Sequence, residues 1–236
     1  MTKLPNVFCW SKMGTESGQP LDAILERKEL ERQAGGGVFY WGIGQSLGQR
    51  FLEFVREVRR PVAVFSPMIS SSQKDDANIA SVVRWRRWVD ESGREHDLPP
   101  HVLVTSKMRT KRGLKCHHYA LVCKSASPLV AGKWPDIKSG RLTNYRRGTR
   151  IGGSQVTSVV EVGELNETRK TGSEYKVVFV AELTYPYIVK LTHPSPFNSS
   201  KVVDLNEIGR AAGWNSMQWL SFVSCEDDGC EAVVTY

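Results

Sequence analysis

The sequence predicts an α+β fold, a curved and mostly antiparallel sheet or small barrel with helices flanking it. Three observations carry this reading. Residues 21–33 and 50–59 repeat their apolar side chains at helical spacing. Most of the remaining chain reads as short aromatic and β-branched runs parted by turn residues, two pairs of them spaced like hairpins. A length of 236 residues, with 40% hydrophobic and 24% charged side chains, is enough for a buried core. A single domain over residues 1–236 is therefore expected.

Residues 6–11 form the first strand candidate. Leu21, Ile24, Leu25, Lys28 and Leu30 then share a stripe with Glu and Arg between, which predicts a helix. Gly35, Gly36 and Gly37 end it, because three glycines lose too much backbone freedom in a helix. Val38, Phe39, Tyr40 and Trp41 predict a buried strand, followed by a loop over residues 42–48. Phe51, Phe54, Val55 and Val58 set the second helix. Beyond Pro61, residues 62–65 predict a strand and 66–78 a polar loop. Residues 79–90 and 101–106 predict two strands joined around Ser92 and Gly93, and 119–123 another strand. A second hairpin is expected between 156–163 and 175–183, across the polar stretch 164–174. Residues 187–191 extend the strand set, 204–212 predict a third helix, and 232–236 an edge strand.

The charge is polarised. Residues 98–160 hold twelve of the 32 basic side chains and one of the 25 acidic ones, Asp136, so the net charge of +7 is concentrated there. A face of that kind attracts a polyanion. Aromatic residues lie among the cations, in Arg84-Trp85-Arg86-Arg87-Trp88 and Asn144-Tyr145-Arg146-Arg147. Cations contact phosphates and flat rings stack on exposed bases. DNA, double-stranded and modified, is the expected partner, with RNA as the alternative. Arg84, Arg86, Arg87, Lys107, Arg109, Lys111, Arg112, Lys115, Arg146 and Arg147 are the backbone-contact candidates. The segment near 107–153 is expected to be mobile until that partner binds.

No apolar run approaches the roughly 18 residues of a membrane span, and the first residues lack a secretory stretch. A cytoplasmic monomer that does not engage membranes is expected. Five cysteines, an odd number, need not pair in a reducing compartment. Cys116, His117, His118 and Cys123 invite a zinc reading, but no CxxC pair accompanies them, and neither metal nor cofactor is expected. Cys225 and Cys230 flank a turn-like Glu226-Asp227-Asp228-Gly229.

Three stretches together resemble the PUA-like superfamily of EVE, ASCH and YTH modules. They are Phe8-Cys9-Trp10-Ser11-Lys12, Val62-Ala63-Val64-Phe65-Ser66 leading through a polar loop into 79–84, and Glu182-Leu183-Thr184-Tyr185-Pro186-Tyr187-Ile188-Val189. The resemblance implies a small barrel whose pocket accepts one flipped, often modified, base, with Trp10, Tyr40 and Trp41 as its aromatic wall. A second likeness is to DNA glycosylases. Gly42-Ile43-Gly44-Gln45-Ser46-Leu47 resembles the G-I-N-P-x-L loop of the mismatch-uracil and thymine enzymes, and His193-Pro194-Ser195-Pro196 is similar to the uracil-DNA glycosylase loop that grips DNA. Gly44 stands where that loop has its water-positioning Asn, so this role does not transfer.

Both likenesses imply a base taken out of the stack, which costs a few kcal/mol. Excision would pass through an oxocarbenium-like sugar, stabilised by a carboxylate while donors hold the departing base. Asp76 is the candidate carboxylate. Gln45 and His193 are the candidate donors to the base, and Asn198 the holder of water or sugar. The expected function is a DNA glycosylase for modified bases, with defence against phage DNA as a setting. The alternative is a non-catalytic reader of modified DNA or RNA.

Overall fold

A computed structural model describes residues 3–13, 21–44, 46–67, 82–102, 104–107, 118–130, 134–151, 157–163, 174–192, 223–226 and 229–232. The elements begin with β1 (Val7–Met13), α1 (Leu21–Ala34), β2 (Val38–Ile43), α2 (Gly48–Glu57) and β3 (Val62–Pro67). There follow β4 (Val82–Trp85), β5 (Arg87–Val89), β6 (Glu95–Asp97), β7 (Val104–Lys107) and β8 (His118–Lys124). β9 (Ile137–Lys138), a 3-10 turn (Ser139–Arg141), β10 (Leu142–Asn144), β11 (Thr157–Val162), β12 (Glu174–Tyr175) and β13 (Phe179–Thr192) come next. β14 (Val223–Glu226) and β15 (Gly229–Ala232) close the series. The fold is α+β with a mixed, mostly antiparallel sheet, as the residue patterns predict.

The chain divides into two compact units whose segments alternate along the sequence. The first comprises residues 1–14, 47–73 and 123–187. Its strand order is β10-β11-β1-β3-β13, with β1 and β3 parallel and the other neighbours antiparallel. β1 lies between β11 and β3 and is buried from Phe8 to Met13. Phe8, Trp10, Val64, Leu142, Val160, Tyr175 and Val177 form the core on one side of these strands. α2 buries Phe51, Phe54 and Val55, the stripe its sequence predicts. It ends at Glu57 rather than at 59, because Val58 is already extended and Pro61 disfavours helical backbone just before it.

The second unit comprises residues 15–46, 74–122 and 188–236. Its core gathers Trp85, Leu98, Val102, Val104, Ala120, Val122, Val189 and Leu191. The predicted strand at 79–90 is two strands within its described part. β4 pairs with β7 and β5 with β6, nested about the turn at Ser92 and Gly93. Asp90 holds that turn: its carboxylate accepts from Ser92 N and Oγ at 2.9 and 2.6 Å and from Arg94 N at 3.0 Å. The end of β13 pairs with β5, so that Leu191 faces Trp88.

Two expectations are corrected. The hairpin drawn between 156–163 and 175–183 does not form: β11 pairs with β1 and β10, β12 with β9, and the start of β13 with β3. Each run has strand character, but its best-matched apolar neighbour lies far away in sequence. Nor is there a closed barrel among the described strands, since the order in the first unit is an open path ending at β10. β14 and β15 are antiparallel with Cys225 and Cys230 in register, while residues 227 and 228 of the predicted turn lie outside the described residues. The predicted helix at 204–212 lies outside the described residues.

Candidate nucleic-acid interface

The basic segment of the first unit is built on four anchors. Ile137, Leu142, Tyr145 and Ile151 are buried, while Lys138, Arg141, Arg147 and Arg150 between them are exposed. The anchors recur because the path folds back on itself. Asn144 N donates to Thr149 O at 2.7 Å, and Arg147 N and Gly148 N both donate to Asn144 O. Arg146 takes φ 58 and Gly148 φ 61 to make the turn. Asn144 Nδ2 reaches Thr149 Oγ1 at 3.2 Å and braces the same loop. The result is a rim on which four cations stand within thirteen residues, with no carboxylate in the sequence from 137 to 160.

Arg146, a predicted phosphate contact, does something else. Its Nη2 donates to Glu57 Oε2 at 2.6 Å and its Nη1 to Glu53 Oε2 at 3.3 Å, while the guanidinium lies 5.3 Å from the Tyr145 ring centroid. Tyr145 donates its hydroxyl to the same Glu57 at 2.7 Å. Arg146 therefore fastens the turn to α2 and leaves the outward role to Arg147 and Arg150. Arg87 is likewise engaged across β5 and β6, with Glu95 at 3.5 Å and Asp97 at 3.3 Å. Arg86 is exposed. In this same run Trp85 is core and Trp88 stacks on His96 at 4.5 Å, so its rings serve packing.

The proposed aromatic wall divides. Trp10 belongs to the first unit, Tyr40 and Trp41 to the second. Trp10 is 0% exposed; its Nε1 donates to Ser66 Oγ at 2.7 Å and Tyr175 packs at 4.9 Å. Lys12, two residues on and hence on the same face of β1, sets its ammonium 5.0 Å from the Trp10 ring centroid and 5.8 Å from that of Tyr175. Burial holds the Lys12 pKa below its usual value. On the opposite face Ser11 and Thr157 share a 3.0 Å hydroxyl hydrogen bond, and burial pushes the Cys9 thiol up. Tyr40 and Trp41, as neighbours in a strand, point to opposite faces of β2 and cannot share a wall there. Trp41 is 7% exposed, whereas Tyr40 is half-buried against the second core.

Gln45, Asp76, His193 and Asn198, the four candidate catalytic residues, lie outside the described residues, as do Arg109, Lys111, Arg112 and Lys115. Arg84 and Lys107 are placed in the paired strands β4 and β7. Cys116 and His117 of the zinc reading also lie outside, and Cys123 is buried in β8. Among the described residues no group of three or more His, Cys, Asp or Glu is placed to hold a metal, and no helix is long and apolar enough to cross a membrane. Sequence reasoning passed over Lys12 and Ser66, although the alternation Phe8, Trp10, Lys12 along one strand signals a cation sharing a face with rings. The first unit also carries an open cleft of about 390 Å³, lined by Arg60, Lys124, Trp134 and Glu182 among others.

The chain matches no known family model, no curated protein and no solved structure.

Proposed function

We propose that this protein binds double-stranded DNA through its basic rim and excises a modified base after extruding it, as a DNA glycosylase. The observation that carries the binding half is the rim itself: Lys138, Arg141, Arg147 and Arg150 stand outward over buried anchors. Such cations release counterions from phosphates, so affinity falls steeply with salt. The excision half rests on Gln45 and His193, which the two loop likenesses single out, and on Asp76 and Asn198 as the polar groups expected beside them. A non-catalytic reader of modified DNA or RNA is the second reading.

Incubation with unmodified, uracil-containing and hypermodified DNA, followed by alkali, separates the two. Strand breaks confined to a modified substrate support the glycosylase. Asp76→Asn, which keeps shape and removes charge, should then slow them by about 10²–10⁴-fold and leave binding nearly intact. Salt-dependent binding without abasic product favours the reader. Replacing the four rim cations with Ala should flatten the salt slope by up to about one unit per lost contact. An unchanged slope would show that the rim is only a solvated surface.

A further inference from the structure

β13 alternates as a half-buried strand should, with Phe179, Ala181 and Leu183 inward and Val189 and Leu191 inward again in the same phase. Tyr185 falls on that inward phase, yet the residue is 83% exposed. The exception coincides with the backbone of Tyr187, which takes φ 64. A bulky aromatic residue rarely adopts the left-handed region, and such positions persist only where the surroundings hold them, often at functional sites. The two rings meet edge to face, with centroids 6.2 Å apart, so Tyr187 braces Tyr185 in its outward position. Large aromatic side chains ordinarily bury themselves, and burying this one would recover hydrophobic stabilisation.

Two arginines precede Pro61, and one of them is paired with Glu182 on this strand. β13 pairs with β3 as far as Glu182 and Val62, and Leu183 N then donates to Pro61 O at 2.7 Å. Just before Pro61 the chain bends through Arg59 and Arg60, both exposed. Arg60 reaches Glu182 at 2.9 Å, a pairing at the surface that a phosphate can replace. An outward ring three residues along the strand from the Arg60 contact offers both parts that an unpaired nucleotide needs: the base can stack on the ring and its phosphates can meet the cations.

We propose that Tyr185, braced by Tyr187, is a stacking platform for an unpaired base, and that Arg59 and Arg60 hold the phosphates on either side of it. This rests on the nucleic-acid reading above and adds the state of strand that is recognised. The test is binding of a fluorescently labelled duplex carrying a single-stranded gap, measured over a series of salt concentrations. Stacking is sequence-tolerant and independent of salt. Tyr185→Ala should therefore weaken binding by roughly 5- to 150-fold at every salt, with the slope unchanged, and Tyr185→Phe should bind as the wild type does. Arg59→Ala with Arg60→Ala should instead flatten the slope by about one unit per lost contact. A thermal melt serves as the control on folding, since an exposed ring contributes little to the core. Wild-type affinity in a folded Tyr185→Ala chain overturns the platform while leaving DNA binding intact. A wild-type chain that shows no salt-dependent binding to gapped or intact duplex overturns the functional reading, and the platform with it.

Discussion

The Trp10 indole is held by one hydroxyl group. Replacing Ser66 with Ala removes the acceptor of a fully buried N–H at 2.7 Å and adds nothing in its place. An orphaned buried donor costs about 1–3 kcal/mol, so the urea midpoint of Ser66→Ala should fall measurably. An unchanged midpoint would mean that the indole finds another acceptor. Trp41 is packed comparably, and Trp41→Ala should cost about 3–5 kcal/mol in a melt. Asp90 gives a pH-dependent expectation. The hydrogen bond to His96, then those from Ser92 and Arg94, hold its carboxyl well below the usual range. A carboxylate depressed in the folded state contributes stability above its unfolded pKa, near 3.9, and loses that contribution as pH falls through the folded value. Asp90→Asn should therefore lower stability at neutral pH and flatten the acid limb of the stability profile below about pH 4. A wild-type acid limb in that variant would remove Asp90 from the balance. At this scale the sequence shows ring chemistry but not ring exposure. Trp10 and Tyr185 are both aromatic residues in apolar runs, and only the partners assembled around them decide which is core and which is surface.

Among the elements, the corner between α1 and β2 concentrates buried charge. Lys28 Nζ donates to Glu31 Oε2 at 2.7 Å and also to the Tyr40 carbonyl, while Tyr40 N donates to Glu31 Oε1 at 2.6 Å. Arg27 is buried beside them, and that burial pushes its pKa down to about 10 against the pull of Glu31. Removing one partner of a buried pair leaves the other uncompensated, at about 3–5 kcal/mol. Glu31→Gln should thus lower the denaturant midpoint far more than a change in an exposed pair such as Arg60 and Glu182. Gly35 in the same corner admits no side chain, since an added Cβ would lie 2.3 Å from Val38 O. Both described helices and the turn at Ser92 were legible in the sequence, because their signals are local: apolar spacing, a run of glycines, a turn tetrad. The partners of β11 and β13 were not, because alternation marks a strand without naming its neighbour. The net basic rim was legible as composition, but the diversion of Arg146 to Glu53 and Glu57 was not, since α2 precedes it by nearly ninety residues.

At the scale of the whole molecule, sequence distance is the governing quantity. Val7 pairs with Glu161, and Ala63 with Ala181. Both units draw on segments separated by stretches of the other, so neither is a continuous piece of chain. Non-local strand pairing must meet its loop-closure entropy before any contact rewards it, and folding is correspondingly slow. Refolding followed by tryptophan fluorescence should proceed over milliseconds to seconds or longer. Completion within microseconds would mean that local contacts dominate the barrier.

The central place of β1 has a consequence for synthesis on the ribosome. Its parallel neighbour β3 emerges early, but β11 is made about 150 residues after it. At about 5–20 residues per second, the antiparallel edge of Phe8, Cys9 and Trp10 waits roughly 7–30 s for its partner. Throughout that interval the nascent chain presents an unpaired apolar strand edge, the kind of surface that holdase chaperones bind and that otherwise seeds aggregation.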